Sequence, residues 1–158
     1  MPDMLVNLLN LPPVEPALRD LRLAGVIVRR PLPHEIGPVR AFVEQRFGKG
    51  WADEVSVGFA NKPVTLFLAI AEGKVIGFGA YECTCRAFFG PTGVAEDQRG
   101  RGVGRALLLA CLWGLRHMGY AYGIIGGAGP TDFYARVCGA IVISGSEPGI
   151  YADPLGRA

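Results

Sequence analysis

The feature that most constrains this chain is Gln98-Arg99-Gly100-Arg101-Gly102-Val103-Gly104-Arg105-Ala106, a glycine run threaded with arginines. An apolar stretch precedes it. Leu107, Leu108, Cys111, Leu112, Leu115 and Met118 follow at the spacing of one helical face, which predicts a helix over 103–118, with Gly119 as its C-terminal cap. The first amides of a helix have no intrahelical partner, and the macrodipole adds partial positive charge there. Glycines let a ligand approach that backbone, and Arg99, Arg101 and Arg105 add charge around it. The run therefore predicts a pyrophosphate seat at a strand-to-helix turn.

Other phosphate motifs do not fit. A P-loop needs G-x-x-x-x-G-K-[ST], and no lysine or hydroxyl stands at those positions. The dinucleotide fingerprint G-x-G-x-x-G fails on the spacing of Gly100, Gly102 and Gly104, and position 105 is arginine. On the glycines alone, a tightly packed turn with no ligand stays open as a second reading.

The rest of the chain reads as one α/β domain. Its 158 residues suit a single domain, and half of them are hydrophobic, which excludes disorder. Glycine is in excess, 23 residues against about 11 at average usage. The net charge is +2 and no basic run is longer than two residues, so nucleic acid is not an expected partner. Residues 1–23 read as an apolar N-terminal arm and 24–158 as the domain. The arm carries Leu5, Val6, Leu8, Leu9 and Leu11, and is expected to dock on its own domain or on a partner subunit in a homodimer. It has no basic leader and meets Pro12 and Pro13 early, and no uncharged apolar run approaches about 18 residues. Neither a signal peptide nor a membrane span is expected, and the cytoplasm is the default location. Cys83, Cys85, Cys111 and Cys138 lack zinc or disulfide-framework spacing and read as packing residues, the first two on one face of a strand.

Strands are expected at 26–28, 64–71, 74–83, 87–94 and 120–125, with helices at 34–47, 51–59, 103–118 and 130–138. A closing hairpin is expected from 141–143 and 150–151. Pro91 cannot donate to a ladder, and Gly90 and Gly93 weaken the pleat, so the strand at 87–94 should bulge and part from a neighbour. An extended ligand carrying amide groups could add to such an edge as a peptide does.

Arg99-x-x-Gly102-x-Gly104 resembles the R/Q-x-x-G-x-G/A signature of the GNAT superfamily of N-acetyltransferases, and residues 93–108 resemble its strand-to-helix segment almost throughout. The resemblance implies a mixed central sheet flanked by helices, with splayed central strands. It implies acetyl-CoA as cosubstrate, no metal, and direct attack of an amine on the thioester. The cofactor would be held by Val94, Arg99, Gly100, Arg101, Gly102, Val103, Gly104, Arg105 and Ala106, with amides from Arg101 to Ala106 on the pyrophosphate. Tyr134, in Phe133-Tyr134, matches the tyrosine that protonates the leaving thiolate, a task a phenol suits. Two departures stand out. The stretch Gly126-Gly127-Ala128-Gly129-Pro130 lacks the asparagine frequent there, and no carboxylate lies within 87–94. Glu82 is the nearest candidate base by strand position, with Glu96 and Asp132 behind it.

His34 and His117 read as surface residues and Trp113 as core. The resemblance also implies an acceptor site opposite the glycine run, at 48–54 and 144–151. Trp51 and Glu54 lead its candidates, with Asp53, Ser146, Glu147 and Tyr151. Aromatic surface mixed with acceptors suits one compact polar amine. The rivals are a module that binds acyl-CoA without turnover and a general anion-binding domain.

Overall fold

The computed structural model describes residues 1–156. In chain order the elements are β1 (Met4–Asn7), α1 (Glu15–Leu23), β2 (Val26–Arg29), α2 (Ile36–Phe47), α3 (Lys49–Ala60), β3 (Leu66–Ala71) and β4 (Lys74–Tyr81). β5 (Phe88–Val94), α4 (Val103–His117), β6 (Tyr122–Ile125), α5 (Thr131–Cys138) and β7 (Ile141–Val142) complete them. The strands form one mixed sheet in the order β2-β3-β4-β5-β6-β1-β7. Neighbouring pairs are antiparallel except β5 and β6, which run parallel.

The apolar stripe of α4 explains why the sheet closes over it. Val103, Ala106, Leu107, Leu108, Cys111, Leu112 and Leu115 are all buried. Burying one such leucine contributes roughly 1.5–3 kcal/mol. Glycines in β4 bring the sheet backbone close to this helix: a Cβ at Gly79 would stand 2.9 Å from Cys111 Sγ, and one at Gly77 would stand 3.1 Å from Leu107 Cδ1. On the other face, Val39, Val43, Ala52, Val55 and Phe59 of α2 and α3 cover Leu66, Leu68, Phe78 and Ala80. Leu21 of α1 packs with Val26, Val103 and Leu107 beside the start of α4.

The N-terminal arm docks on its own domain as a strand. β1 lies between β6 and β7, antiparallel to both, with Met4 opposite Ile125 and Val142. Met4, Val6 and Leu8 point into the core and are at most 1% exposed. Trp113 Nε1 donates to the Pro12 carbonyl at 2.9 Å, so this tryptophan pins the arm as well as packing.

The closing hairpin does not form. β7 pairs with β1, and residues 149–151 make a single 3-10 turn. Gly145, Pro148 and Gly149 break up the stretch between its two strands, while β1 already offers an edge to Ile141. Cys83 and Cys85 lie in the loop after β4 rather than on it, and all four cysteines are free thiols.

Candidate active site

The glycine run opens α4 as its sequence predicts. Gly100 has φ +78° and Gly102, the N-cap, has φ +83°. A Cβ at either position would meet nothing within 4 Å, so the left-handed backbone, not crowding, calls for glycine there. Ala106 N donates to the Gly102 carbonyl at 3.1 Å, the first bond of the helix. From Gly100 through Arg105, no amide makes a hydrogen bond among the described residues to a group outside the helix. These amides gather at the positive end of α4, an arrangement suited to an anion.

Two expectations for this loop need correction. The Ala106 amide is spent on the helix itself, and its methyl is buried, so it is no free donor. The Arg101 side chain turns away from the cleft beside the loop: it donates to Gln98 Oε1 and, at 3.4 Å, to the Ala24 carbonyl. Arg99 and Arg105 border the cleft, together with Val94, Gly100, Gly102, Val103 and Gly104.

That cleft, about 810 Å³, opens where β5 and β6 diverge. The two strands pair only at Phe88–Ile124 and Phe89–Ile125. β6 then turns at Gly126 and Gly127, while β5 continues along β4 to Val94. Ala95 N donates to the Ile76 carbonyl at 2.8 Å, and Gly93 opposes Phe78. Backbone groups alternate along a strand, so those of Thr92 and Val94 face away from β4, towards the cleft. Two missing side chains keep the walls in place. A Cβ at Gly93 would stand 2.5 Å from the Phe47 ring, and one at Gly126 would stand 2.8 Å from the ring of Phe88.

Tyr134, on α5, lines the same cleft. It is 6% exposed and meets Phe89 and Phe133 edge-on, with centroids 6.2 and 5.3 Å away. Burial first, and the Cys138 thiol second, push its phenol up to about 12. Among the described residues the hydroxyl has no protein partner, yet no fully buried polar side-chain atom there lacks one, so the hydroxyl opens into the cleft. The turn that lacks the family's asparagine is tied by the arm instead. Gly127 N donates to Asp3 Oδ1 at 2.8 Å, and Ala128 N donates to the Pro2 carbonyl at 2.7 Å. No sequence signal marked Asp3, because its partner is more than a hundred residues away.

A second cleft, about 930 Å³, adjoins the first, with Trp51, Phe89, Gly90, Pro91, Gly126 and Gly127 bordering both. It gathers Trp51, Glu54, Glu147 and Tyr151 of the expected acceptor residues. Trp51 stacks on Phe47 at 5.6 Å between centroids. Burial, then Glu54 and Asp3, raise the Tyr151 phenol. Glu147 pairs with the Met1 ammonium. Two expected residues fall outside. Asp53 pairs with Arg40 at 2.8 Å and Lys49 at 2.5 Å, and the Ser146 hydroxyl accepts from Asp3 N at 2.8 Å.

Glu82 lines neither cleft. It follows β4 at φ +57°, and its carboxylate folds back to accept from Ala87 N at 2.5 Å, beside Tyr120. Strand position misplaced it because the chain leaves the sheet at Tyr81. Glu96 and Asp132 are exposed and also outside both clefts. Among the described residues, no group of three His, Cys, Asp or Glu side chains could hold a metal ion, and no helix is long and apolar enough to cross a membrane.

Comparison with known proteins agrees with this geometry. The model of the acetyltransferase (GNAT) family matches residues 28–140. Similar solved structures include a glucosamine N-acetyltransferase region of a fungal multi-domain β-N-acetylglucosaminidase, at 19% identity and a TM-score of 0.72. It matches over 90% of this chain and 19% of that one. A GNAT-type acetyltransferase from Sphaerobacter thermophilus is 21% identical with a TM-score of 0.66, over 90% of this chain and 48% of that one. A GNAT acetyltransferase from Brucella melitensis, solved with acetyl-CoA, is 22% identical with a TM-score of 0.55, over 70% of this chain and 80% of that one. This chain thus spans about a fifth and about half the length of the first two. No curated protein matches the chain.

Proposed function

The chain belongs to the GNAT acetyltransferase family, and from that premise we propose that it moves an acetyl group from acetyl-CoA to the primary amine of a small polar acceptor. One observation carries this reading: the unpartnered amides from Gly100 to Arg105 stand at the edge of a cleft that the parting of β5 and β6 creates. The donors suit a pyrophosphate, with Arg99 and Arg105 beside it. The inward backbone groups of Thr92 and Val94 suit the pantetheine amides. Gly100, Gly102 and Gly104 leave their own amides with no side chain beside them.

The chemistry follows from the two adjoining clefts. The amine enters the one walled by Trp51 and Glu54, and attacks the thioester carbonyl near Gly90 and Gly126. The Thr92 amide, the nearest cleft-facing donor after Gly90 and Pro91 on β5, donates to the oxyanion that develops. Tyr134 gives its proton to the departing sulfur. A phenol pushed up to about 12 stays protonated at neutral pH, the state a donor needs. The mixed aromatic and acidic wall of the second cleft favours a compact cationic acceptor over a protein segment.

The test is thiol release from acetyl-CoA by the purified protein with glucosamine, ethanolamine, putrescine, amino acids and lysine peptides. Turnover with a small amine above background hydrolysis is expected. Binding of acetyl-CoA with no turnover would make the protein a sensor, and preference for peptides would overturn the acceptor assignment.

A further inference from the structure

We propose that Glu54 takes the proton from the incoming amine and that Thr84, held by a clasped loop, is its positioning residue; this rests on the acetyl-transfer reading above. Glu54 stands one turn after Trp51 on α3, and Trp51 borders both clefts. The carboxylate is therefore close to the place where acceptor and thioester meet. The Thr84 hydroxyl donates to Glu54 Oε1. Oε2 has no protein partner among the described residues and is left for the acceptor.

The loop that presents Thr84 is built against its own backbone preference. It joins β4 to β5, and both its ends are non-glycine residues at positive φ, Glu82 at +57° and Ala87 at +62°. Such conformations persist only where the surroundings over-determine them, and they gather at functional sites. Here the surroundings do. Glu82 Oε1 accepts from Ala87 N, Glu82 N donates to the Phe88 carbonyl at 3.0 Å, and Phe88 N donates to the Cys85 carbonyl at 3.2 Å. Asn61 Nδ2 ties the Glu82 carbonyl to the Thr65 hydroxyl, at 3.3 and 2.8 Å. The carboxylate that the strand pattern marked as a base thus clasps the loop that orients another one.

The groups facing Glu54 are few. Tyr151 and Cys83 both feel its charge, and across the cleft Glu147 is paired with the Met1 ammonium. No other carboxylate among the described residues borders this cleft. The protons balance as follows. The ammonium gives one proton to Glu54 Oε2, which passes it to solvent. The neutral nitrogen forms the N–C bond as the C–S bond breaks. The nitrogen then sheds a second proton, which replaces the one Tyr134 gives to sulfur.

Glu54→Gln, Thr84→Val and Thr84→Ser are compared with the wild type in the full chain. Thiol release is followed from pH 6 to 10 with ethanolamine and putrescine, which enter protonated. Trifluoroethylamine, neutral at pH 7, is the probe that needs no base. Calorimetry with acetyl-CoA checks that each variant is folded and binds. Glu54→Gln is expected to lower kcat/KM for ethanolamine and putrescine by about 10²- to 10⁴-fold at pH 7. The loss should shrink as pH rises and be small with trifluoroethylamine. Thr84→Val should show the same pH-dependent loss in weaker form, and Thr84→Ser should restore the wild-type profile. An equal loss with all three amines at every pH, or no loss in Glu54→Gln, overturns the proposal while acetyl transfer stands. A wild type that turns over none of these amines overturns both.

Discussion

The space that a Cβ would need at Gly93 is filled by the Phe47 ring, whose Cζ lies 2.5 Å from that position. Phe47 also stacks on Trp51 and meets Phe78 edge-on, each at 5.6 Å between centroids. The β5 wall and the α2–α3 corner are therefore set by one aromatic contact. Gly93→Ala must displace the ring and carry Trp51 with it. The expected cost is about 1–3 kcal/mol of stability, the usual range for overpacking. KM should rise for acetyl-CoA and for the amine together, because Trp51 borders both clefts. Thermal unfolding and initial rates check this, and an unchanged Tm would mean that the ring yields freely.

Gly104 offers the cleaner test of the anion seat. Gly102 needs its positive φ, so any substitution there strains the N-cap. Gly104 sits in the first turn of α4, and a Cβ there meets only Val94 at 3.8 Å and Phe133 at 3.9 Å, ordinary contacts. Gly104→Glu should therefore fold, while its carboxylate repels a pyrophosphate. Losing one charge-assisted hydrogen bond costs about 1.5–3 kcal/mol, so affinity for acetyl-CoA should fall at least about tenfold. Calorimetric binding at wild-type strength in the folded variant would remove the loop from the site.

On the proposed mechanism, Tyr134→Phe should lower kcat by about 10²- to 10⁴-fold and leave KM for acetyl-CoA nearly unchanged. The active form of the phenol is the protonated one. With its titration pushed up to about 12, the wild-type rate should show no falling limb from Tyr134 between pH 7 and 10. A variant as fast as the wild type across that range would reduce Tyr134 to packing.

The glycine turn proposed as a pyrophosphate seat was legible because everything it needs is local. Gly100, Gly102 and Gly104 and the stripe of α4 lie within one short stretch, and a helix start has the same chemistry in any fold. The damaged strand was legible for the same reason, through Pro91 and its flanking glycines. What was hidden depends on partners far along the chain. Nothing near Met4 shows that its edge is taken by Ile125 on one side and Val142 on the other. Lys74 to Cys83 is apolar enough to suggest a strand to its end, and only the pairing with β5 and β3 shows that it stops at Tyr81. That difference moved Glu82 from a strand face to a loop clasp. Glu54 gained its neighbour Thr84 through the same loop, a pairing that no helical spacing could reveal.

Buried acids that titrate late make stability fall at alkaline pH. Burial pushes Cys83 and Cys138 up to about 11 from 9.0, and Cys111 also rises. The unfolded chain loses these protons first, so it binds fewer protons than the native state above pH 9. Stability is fully present below the unfolded value and declines as pH rises through the folded one. The urea midpoint should therefore be lower at pH 10 than at pH 8. Equal midpoints would mean that the thiols titrate as they do in water.

Asp3 joins the arm to the wall shared by the two clefts. Its carboxylate accepts from Gly127 N, its carbonyl accepts from Ile143 N at 2.9 Å, and its own amide donates to Ser146 Oγ. Met4, the next residue, does a different task, since its side chain lies wholly in the core. The two positions should separate stability from function. Met4→Ala is expected to cost about 2–5 kcal/mol, as a core truncation does. The cleft walls should survive it in whatever fraction stays folded, so KM moves little. Asp3→Ala leaves the Gly127 amide without an acceptor, which costs about 1–3 kcal/mol. It also frees the turn at 126–127 that borders both clefts, so KM for acetyl-CoA should rise. Asp3→Asn keeps a carbonyl oxygen at the same place and should restore most of the binding. If Asp3→Ala and Met4→Ala lose stability alike and neither changes KM, the arm only supports the sheet.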